Sequence, residues 1–339
     1  MLFNFSKLIF VFCLLSGTLI SISANSWLGA WMGLEINLLC FIPLMSSSVN
    51  LMSNESALKY FLAQALASSV LLFSIIILSS NEAMFMFFDS INLTQICLDS
   101  ALLLKLGAAP FHFWFPSVME GLDWFNGLIL MTWQKIAPII LISYNYNPSF
   151  IYSSIIFCLL IGSIGGLNQT NLRSLMAFSS INHLGWILSS LLISESLWIT
   201  YFLFYIFLSI SVIFIFMNFK IYHFMQINPH LSDFSMGKFF LFSNLLSMGG
   251  LPPFLGFLPK LLVIQNLLKI NDYFMIFIMV MTALITLLFY IRISYSSFMI
   301  FTTNLKWVKT FYYSNKLMYL MNSISIFGLI FILLFQILF

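Results

Sequence analysis

Apolar runs of about 20 residues recur along nearly the whole sequence, separated by short polar connections, and they leave few folds open. A helix rises 1.5 Å per residue, so a run of that length crosses a hydrocarbon layer about 30 Å thick. The runs predict eleven spans, with approximate limits 3–22, 26–45, 54–79, 94–115, 124–143, 149–167, 172–193, 196–220, 236–269 (broken), 272–299 and 320–338. Charged residues make up only 7% of the chain, where a soluble domain carries about 25%. Hydrophobic residues make up 61%, and the mean hydropathy is +1.04. The expected fold is an all-α integral membrane protein: one polytopic domain over 1–339 with no soluble head. The first run has no cleavage signal and reads as a retained span.

Most of the few charges are explained without function. Ser53 with Glu55, Asp123, Ser194 with Glu195, and Asn271 with Asp272 are expected to cap helices or face the positive end of a helix dipole. Lys7, Lys59, Arg173, Lys220, Lys238, Lys306, Lys309 and Lys316 fall on the side of the N-terminus, whereas Lys269 falls on the other. Positive charge gathers on the inner side of a membrane, so this bias predicts an internal N-terminus and an external C-terminus. The basic stretch from Lys306 to Lys316 also offers a place for anionic phospholipid.

After that subtraction Glu35, Asp99, Lys105, Lys135, Lys260 and Arg292 remain within the spans. Glu35 lies about 14 Å into its span, and Lys105 and Lys135 about 17 Å into theirs. A lysine at that depth costs about 2.5–3.5 kcal/mol to insert. Asp99 and Arg292 fall nearer span ends, where snorkelling or edge solvation is expected. For the central group two readings stay open. Fixed salt bridges would only hold helices together, whereas a chain of Lys and Glu joined by water would pass protons. His112 and His183 are candidates for the same relay, with a satisfied core histidine as the alternative; His223 and His230 read as loop residues.

The backbone around these lysines is interrupted. In Ser247–Lys260, SMGGLPPFLGFLPK, the prolines at 252, 253 and 259 remove the helical donors for the carbonyls of Met248, Gly249 and Leu255. Pro110 does the same for Leu106 near Lys105, and Pro138 for Gln134 near Lys135. Broken backbone at membrane depth persists only where protein buries it or water reaches it. The breaks near Lys105 and Lys260 fall five spans apart, an odd offset that reverses direction through the bilayer. That is the arrangement of inverted-repeat transporters, with halves expected at about 1–143 and 149–299 and a final helix at 320–338.

Redox chemistry has no visible place in this chain. Cys13, Cys40, Cys97 and Cys158 are dispersed in or beside apolar runs, unlike iron–sulfur ligands. Neither a dinucleotide fingerprint nor a phosphate loop is present.

Five stretches then carry a resemblance: NSWLGAWMGLEINLLCFIPL at 25–44, LLLKLGAAPFHFWFPSVMEGL at 102–122, MTWQKIAPIILIS at 131–143, GGLNQTNLRSLMAFSSINHLGW at 165–186 and GGLPPFLGFLPKLLVIQ at 249–265. Together they resemble the subunit 2 family of mitochondrial NADH dehydrogenase, a membrane component of respiratory complex I that is similar to cation/proton antiporter subunits. The resemblance implies that Glu35 is the family's central glutamate and that Lys105, Lys135 and Lys260 are its central lysines. It implies that NADH oxidation and ubiquinone reduction occur elsewhere, with flavin, iron–sulfur clusters and quinone held by other subunits and no cofactor here. Three N-terminal helices of longer bacterial relatives have no counterpart before Met1. The expected partners are other membrane-arm subunits, including antiporter-like neighbours, and lipids, with no nucleic acid. The expected location is the mitochondrial inner membrane, with the N-terminus in the matrix and the C-terminus on the intermembrane-space side.

The leading expectation is therefore a proton-translocating subunit of complex I. In it Glu35 and Lys105 form an ion pair, Lys135 relays, and Lys260 connects onward. Its rivals are a stand-alone cation/proton antiporter, a purely structural membrane subunit and a quinone-binding enzyme.

Overall fold

The computed structural model describes residues 5–47, 50–83, 88–227, 235–299, 319–326 and 328–329, and the described backbone is almost entirely helical. Thirteen α-helices are described: α1 (Phe5–Ser23), α2 (Trp27–Met45), α3 (Leu51–Ala83), α4 (Phe88–Leu106), α5 (Trp114–Gly121), α6 (Trp124–Met131), α7 (Trp133–Tyr144), α8 (Pro148–Gly166), α9 (Leu172–Ile193), α10 (Glu195–Phe219), α11 (Ser235–Gly249), α12 (Phe257–Ile270) and α13 (Tyr273–Met299). A single 3₁₀ turn spans Phe224–Gln226, and residues 319–326 are helical. Among the described residues, seven segments are long and apolar enough to cross a membrane. The rest of the expected eleventh span, the Lys306–Lys316 stretch and His230 lie outside the described residues.

The chain divides into two compact units, Met1–Phe157 and Cys158–Phe339. In the first, α1 and α2 pack backbone to backbone. A Cβ on Gly33 would lie 2.5 Å from the Ser21 nitrogen and 2.9 Å from the Gly17 carbonyl oxygen. Without a hydrophobic drive between helices in lipid, such close approach supplies the contact energy. The Trp31 indole nitrogen donates to the Ser68 carbonyl (3.1 Å), tying α2 to α3. Asn126 of α6 donates to the Leu44 carbonyl (2.9 Å), satisfying an acceptor at the end of α2.

In the second unit α9 is the central element, buried at almost every position from Ser174 to Leu191. Its serines cause no deficit because their hydroxyls bond carbonyls three residues back, as Ser179 does to Met176 and Ser190 to Ile187. A short pairing of Asn171 with His223 ties the start of α9 to the loop after α10. Asn244 of α11 bonds both Asn322 and Ser325 of the helical stretch 319–326.

Several local expectations are corrected. The helix after Asn50 starts at Leu51, so Ser53 and Glu55 lie inside α3, where Glu55 pairs with Lys59 at 2.7 Å instead of capping. Asp123 and Ser194 stand at N-cap positions but make no side-chain cap bond, while Glu195 lies in the first turn of α10 as expected. Asp272 does cap, accepting from the Met275 N–H (3.4 Å), while Asn271 ends the preceding helix with φ 63°. Asp99 is not solvated at a span edge: it is fully buried, and its Oδ2 accepts the Asn147 N–H at 2.7 Å, just ahead of α8. The Arg292 guanidinium, exposed as expected, donates to the Leu167 carbonyl (3.3 Å).

Candidate functional site

Lys105 occupies the last turn of α4, and the end of that helix decides where its side chain goes. Gly107 adopts φ +70°, a left-handed conformation that suits glycine. The Ala108 N–H bonds the Leu103 carbonyl (3.0 Å) and the Gly107 N–H bonds the Leu104 carbonyl (3.1 Å). This pair of reversed bonds is a Schellman ending. The helix therefore ends at Leu106, the residue whose carbonyl Pro110 deprives of a helical donor, and the interruption begins at Gly107. Side chains add two more donors at this helix end: Trp114 Nε1 to Leu104 O (3.0 Å) and Gln64 Nε2 to Lys105 O (3.2 Å).

The Lys105 side chain, 7% exposed, lines a cavity of about 20 Å³. One water needs about 10–15 Å³. Lys135 lines the same cavity, together with Asn37, Tyr60, Gln64 and Gln134. The Lys135 ammonium also stands 5.2 Å from the centre of the Phe115 ring. Asn37 and Gln134 exchange reciprocal amide bonds of 2.9 and 3.0 Å across this wall. The local break near Lys135 falls at Thr132, between α6 and α7, while Pro138 sits inside α7. A proline ring clashes with the carbonyl four residues back, here that of Gln134, and opens the turn upstream of itself.

Glu35 is half-buried on α2, and its Oε2 is buried without a hydrogen-bond partner. It is the acid that acts electrostatically on Lys105. The expected Glu35–Lys105 ion pair makes no contact within 4 Å, and Glu35 does not line the cavity that Lys105 lines. His112 lies in the non-helical stretch after α4, with Nδ1 3.3 Å from the Pro110 carbonyl and its ring 4.3 Å from that of Phe113. It does not line the lysine cavity.

The second unit builds a different setting for Lys260. The chain leaves α11 at Gly250, with φ +83°, through the same pair of reversed bonds: Leu251 N–H to Leu246 O (3.4 Å) and Gly250 N–H to Ser247 O (3.0 Å). Two buried carbonyls at this helix end, those of Met248 and Gly249, are left without helical donors by Pro252 and Pro253. The buried Lys260 ammonium donates to both, at 3.3 and 2.9 Å. These are two of the three carbonyls that the prolines deprive of helical donors. The third, on Leu255, accepts the Leu258 N–H (3.3 Å). The Trp186 ring lies 5.6 Å from the ammonium and stacks on Tyr201 (6.3 Å, 9° between planes). The Tyr201 hydroxyl is 3.0 Å from His183 Nδ1, so His183 belongs to the surroundings of Lys260.

Attention to charges alone missed Asn37, Gln64, Gln134, Trp114 and Trp186. The amides were visible as polar residues inside apolar spans. The tryptophans carried no signal beyond their type.

Helices broken within the membrane, each with a buried lysine at the break, define an antiporter-like polytopic membrane protein. Residues 24–286 match the family described as NADH:quinone oxidoreductase/Mrp antiporter, TM. NADH-ubiquinone oxidoreductase chain 2 of Aedes aegypti is 57% identical over 339 residues, 97% of each chain. That of Anopheles gambiae is 56% identical over 335 residues, 96% of this chain and 97% of its own. The chain belongs to this family, the NADH-ubiquinone oxidoreductase chain 2 group of antiporter-like membrane proteins. A chain of respiratory complex I from Thermus thermophilus superposes with a TM-score of 0.80 at 19% identity, covering 96% of this chain and 79% of that one, and shares the fold.

Proposed function

We propose that this chain carries protons through its buried lysines as a membrane-arm subunit of respiratory complex I. Membership of the chain 2 family supports its place as a multi-pass protein of the mitochondrial inner membrane, in an assembly that couples NADH oxidation by ubiquinone to proton translocation. The observation that carries the relay is the cavity shared by Lys105 and Lys135, lined also by the Asn37, Gln64 and Gln134 amides and large enough for a water molecule.

In this reading an ammonium gives a proton to water in the cavity and takes one back, while the Asn37 and Gln134 amides fix the wall around it. Glu35 biases Lys105 through space without locking it in a bridge. Lys260 donates to two backbone carbonyls beside the Trp186 face, so a shift of the turn at Gly250 changes the contacts its amine makes. His183 adjoins that group through Tyr201. His112, apart from the cavity, is the weaker member. The N-terminus faces the matrix and the C-terminus the intermembrane space. Flavin, iron–sulfur clusters and quinone belong to other subunits, and antiporter-like subunits are the neighbours.

The test is replacement of Lys105 or Lys260 by Met in the assembled complex, with protons moved per NADH oxidised as the readout. Both variants are expected to assemble and to move fewer protons per NADH. An undiminished ratio in both removes the lysine relay.

A further inference from the structure

Asp99 has no part in the relay described above, yet it is 0% exposed and only half satisfied. Its Oδ2 accepts the Asn147 N–H, its Oδ1 is buried with no hydrogen-bond partner, and among the described residues no cation lies within 4 Å of it. Leaving a charge buried and unpaired costs several kcal/mol. A carboxyl group avoids that cost by taking up a proton.

Its position gives this a use. Helices α4 and α7 pack antiparallel. Near one end they bring Lys105 and Lys135 to one cavity; near the other, Gln95 of α4 donates to Asn145 just after α7 (3.3 Å), and Asp99 reaches Asn147. Asn145 in turn lines a second, more open cavity of about 380 Å³ with Tyr144, Asn25, Ser26 and Trp27. Asp99 thus lies on α4 about 9 Å from Lys105, toward the end where Gln95 meets Asn145 of the vestibule, and lines neither cavity itself.

We propose that Asp99 is a proton-binding station between the Lys105–Lys135 cavity and the vestibule bounded by Asn25, Tyr144 and Asn145. Oδ1 takes a proton from water on the lysine side and returns it to water on the Gln95–Asn145 side, with no redox change and no bond altered other than O–H. This rests on the lysine relay proposed above.

The competing role is structural: Asp99 merely caps the start of α8. Asp99→Asn separates the two, since the amide oxygen still accepts the Asn147 N–H but the side chain cannot exchange a proton. The variant complex is compared with Lys105→Met in proteoliposomes, reading protons moved per NADH oxidised. The expected result is a loss in Asp99→Asn as large as that in Lys105→Met, with normal assembly. A wild-type ratio in Asp99→Asn beside a reduced one in Lys105→Met overturns the station and leaves the relay standing. A wild-type ratio in both overturns both. Should Asp99→Asn fail to assemble, Gln95→Leu tests the same route without touching the cap: a lowered ratio supports the station, an unchanged one overturns it.

Discussion

The Lys260 ammonium donates to the Gly249 carbonyl at 2.9 Å, across a turn that Gly250 makes with φ +83°. A Cβ added at Gly250 would stand 2.9 Å from Lys260 Cδ and 3.1 Å from its Nζ. Gly250→Ala therefore meets two penalties, a left-handed backbone costing about 1–2 kcal/mol and a displaced lysine. We expect lower thermal stability of the complex together with reduced protons per NADH. Pro253→Ala is the informative partner. The glycine turn already ends the helix, so this change should disturb both readouts less than Gly250→Ala. The reverse order would make the prolines, rather than Gly250, the cause of the break.

That contrast shows what the sequence made legible. Gly-Gly-Leu-Pro-Pro and Leu-Gly-Ala-Ala-Pro both announced an interruption, and proline chemistry named the carbonyls of Met248 and Gly249 before their partner was known. The first left-handed residue was harder to place, because glycine and proline signals lie two or three residues apart and either can end a helix. Near Lys105 the proline named the freed carbonyl of Leu106, but only the reversed bonds identify Gly107 as the residue that turns the chain. Asp99 was misplaced for a related reason. Depth along its own helix says nothing about Asn147, 48 residues later, which closes over one of its oxygens.

The face of Trp186 offers a second test at Lys260. Cation–π contacts contribute about 0.5–2 kcal/mol, more where water is excluded. Trp186→Leu should lower protons per NADH while the complex still assembles, whereas Trp186→Phe, which keeps an aromatic face, should retain more of the wild-type ratio. Equal ratios in the two variants would remove the ring's electrostatic role and leave only its volume.

The amide pair at the lysine cavity makes a prediction about coupling. Replacing Gln134 by Leu leaves the buried Asn37 amide unsatisfied, at about 1–3 kcal/mol, and replacing Asn37 leaves the half-buried Gln134 amide without its partner. Replacing both removes the deficit as well as the bond. In a double-mutant cycle on thermal stability, the double variant should therefore be less destabilised than the sum of the singles. Proton movement should fall even where stability recovers, because an apolar wall no longer supports water beside Lys105 and Lys135.

The contact between α1 and α2 reaches the same cavity from a distance. A methyl group at Gly33 would lie 2.5 Å from the Ser21 nitrogen and 2.8 Å from its Cα, so two backbones must separate. Overpacking of this kind costs about 1–3 kcal/mol. At Gly29, four residues earlier on α2, the nearest atom is the Ala24 Cβ at 3.2 Å. Gly33→Ala should therefore lower the yield and thermal stability of the complex, and Gly29→Ala should change them much less. Since α2 also carries Glu35 and Asn37, the proton ratio of whatever Gly33→Ala complex assembles should fall too. Matching stability in the two variants would show that α1 and α2 can yield at Gly33, and that the close packing there does not fix the position of Glu35.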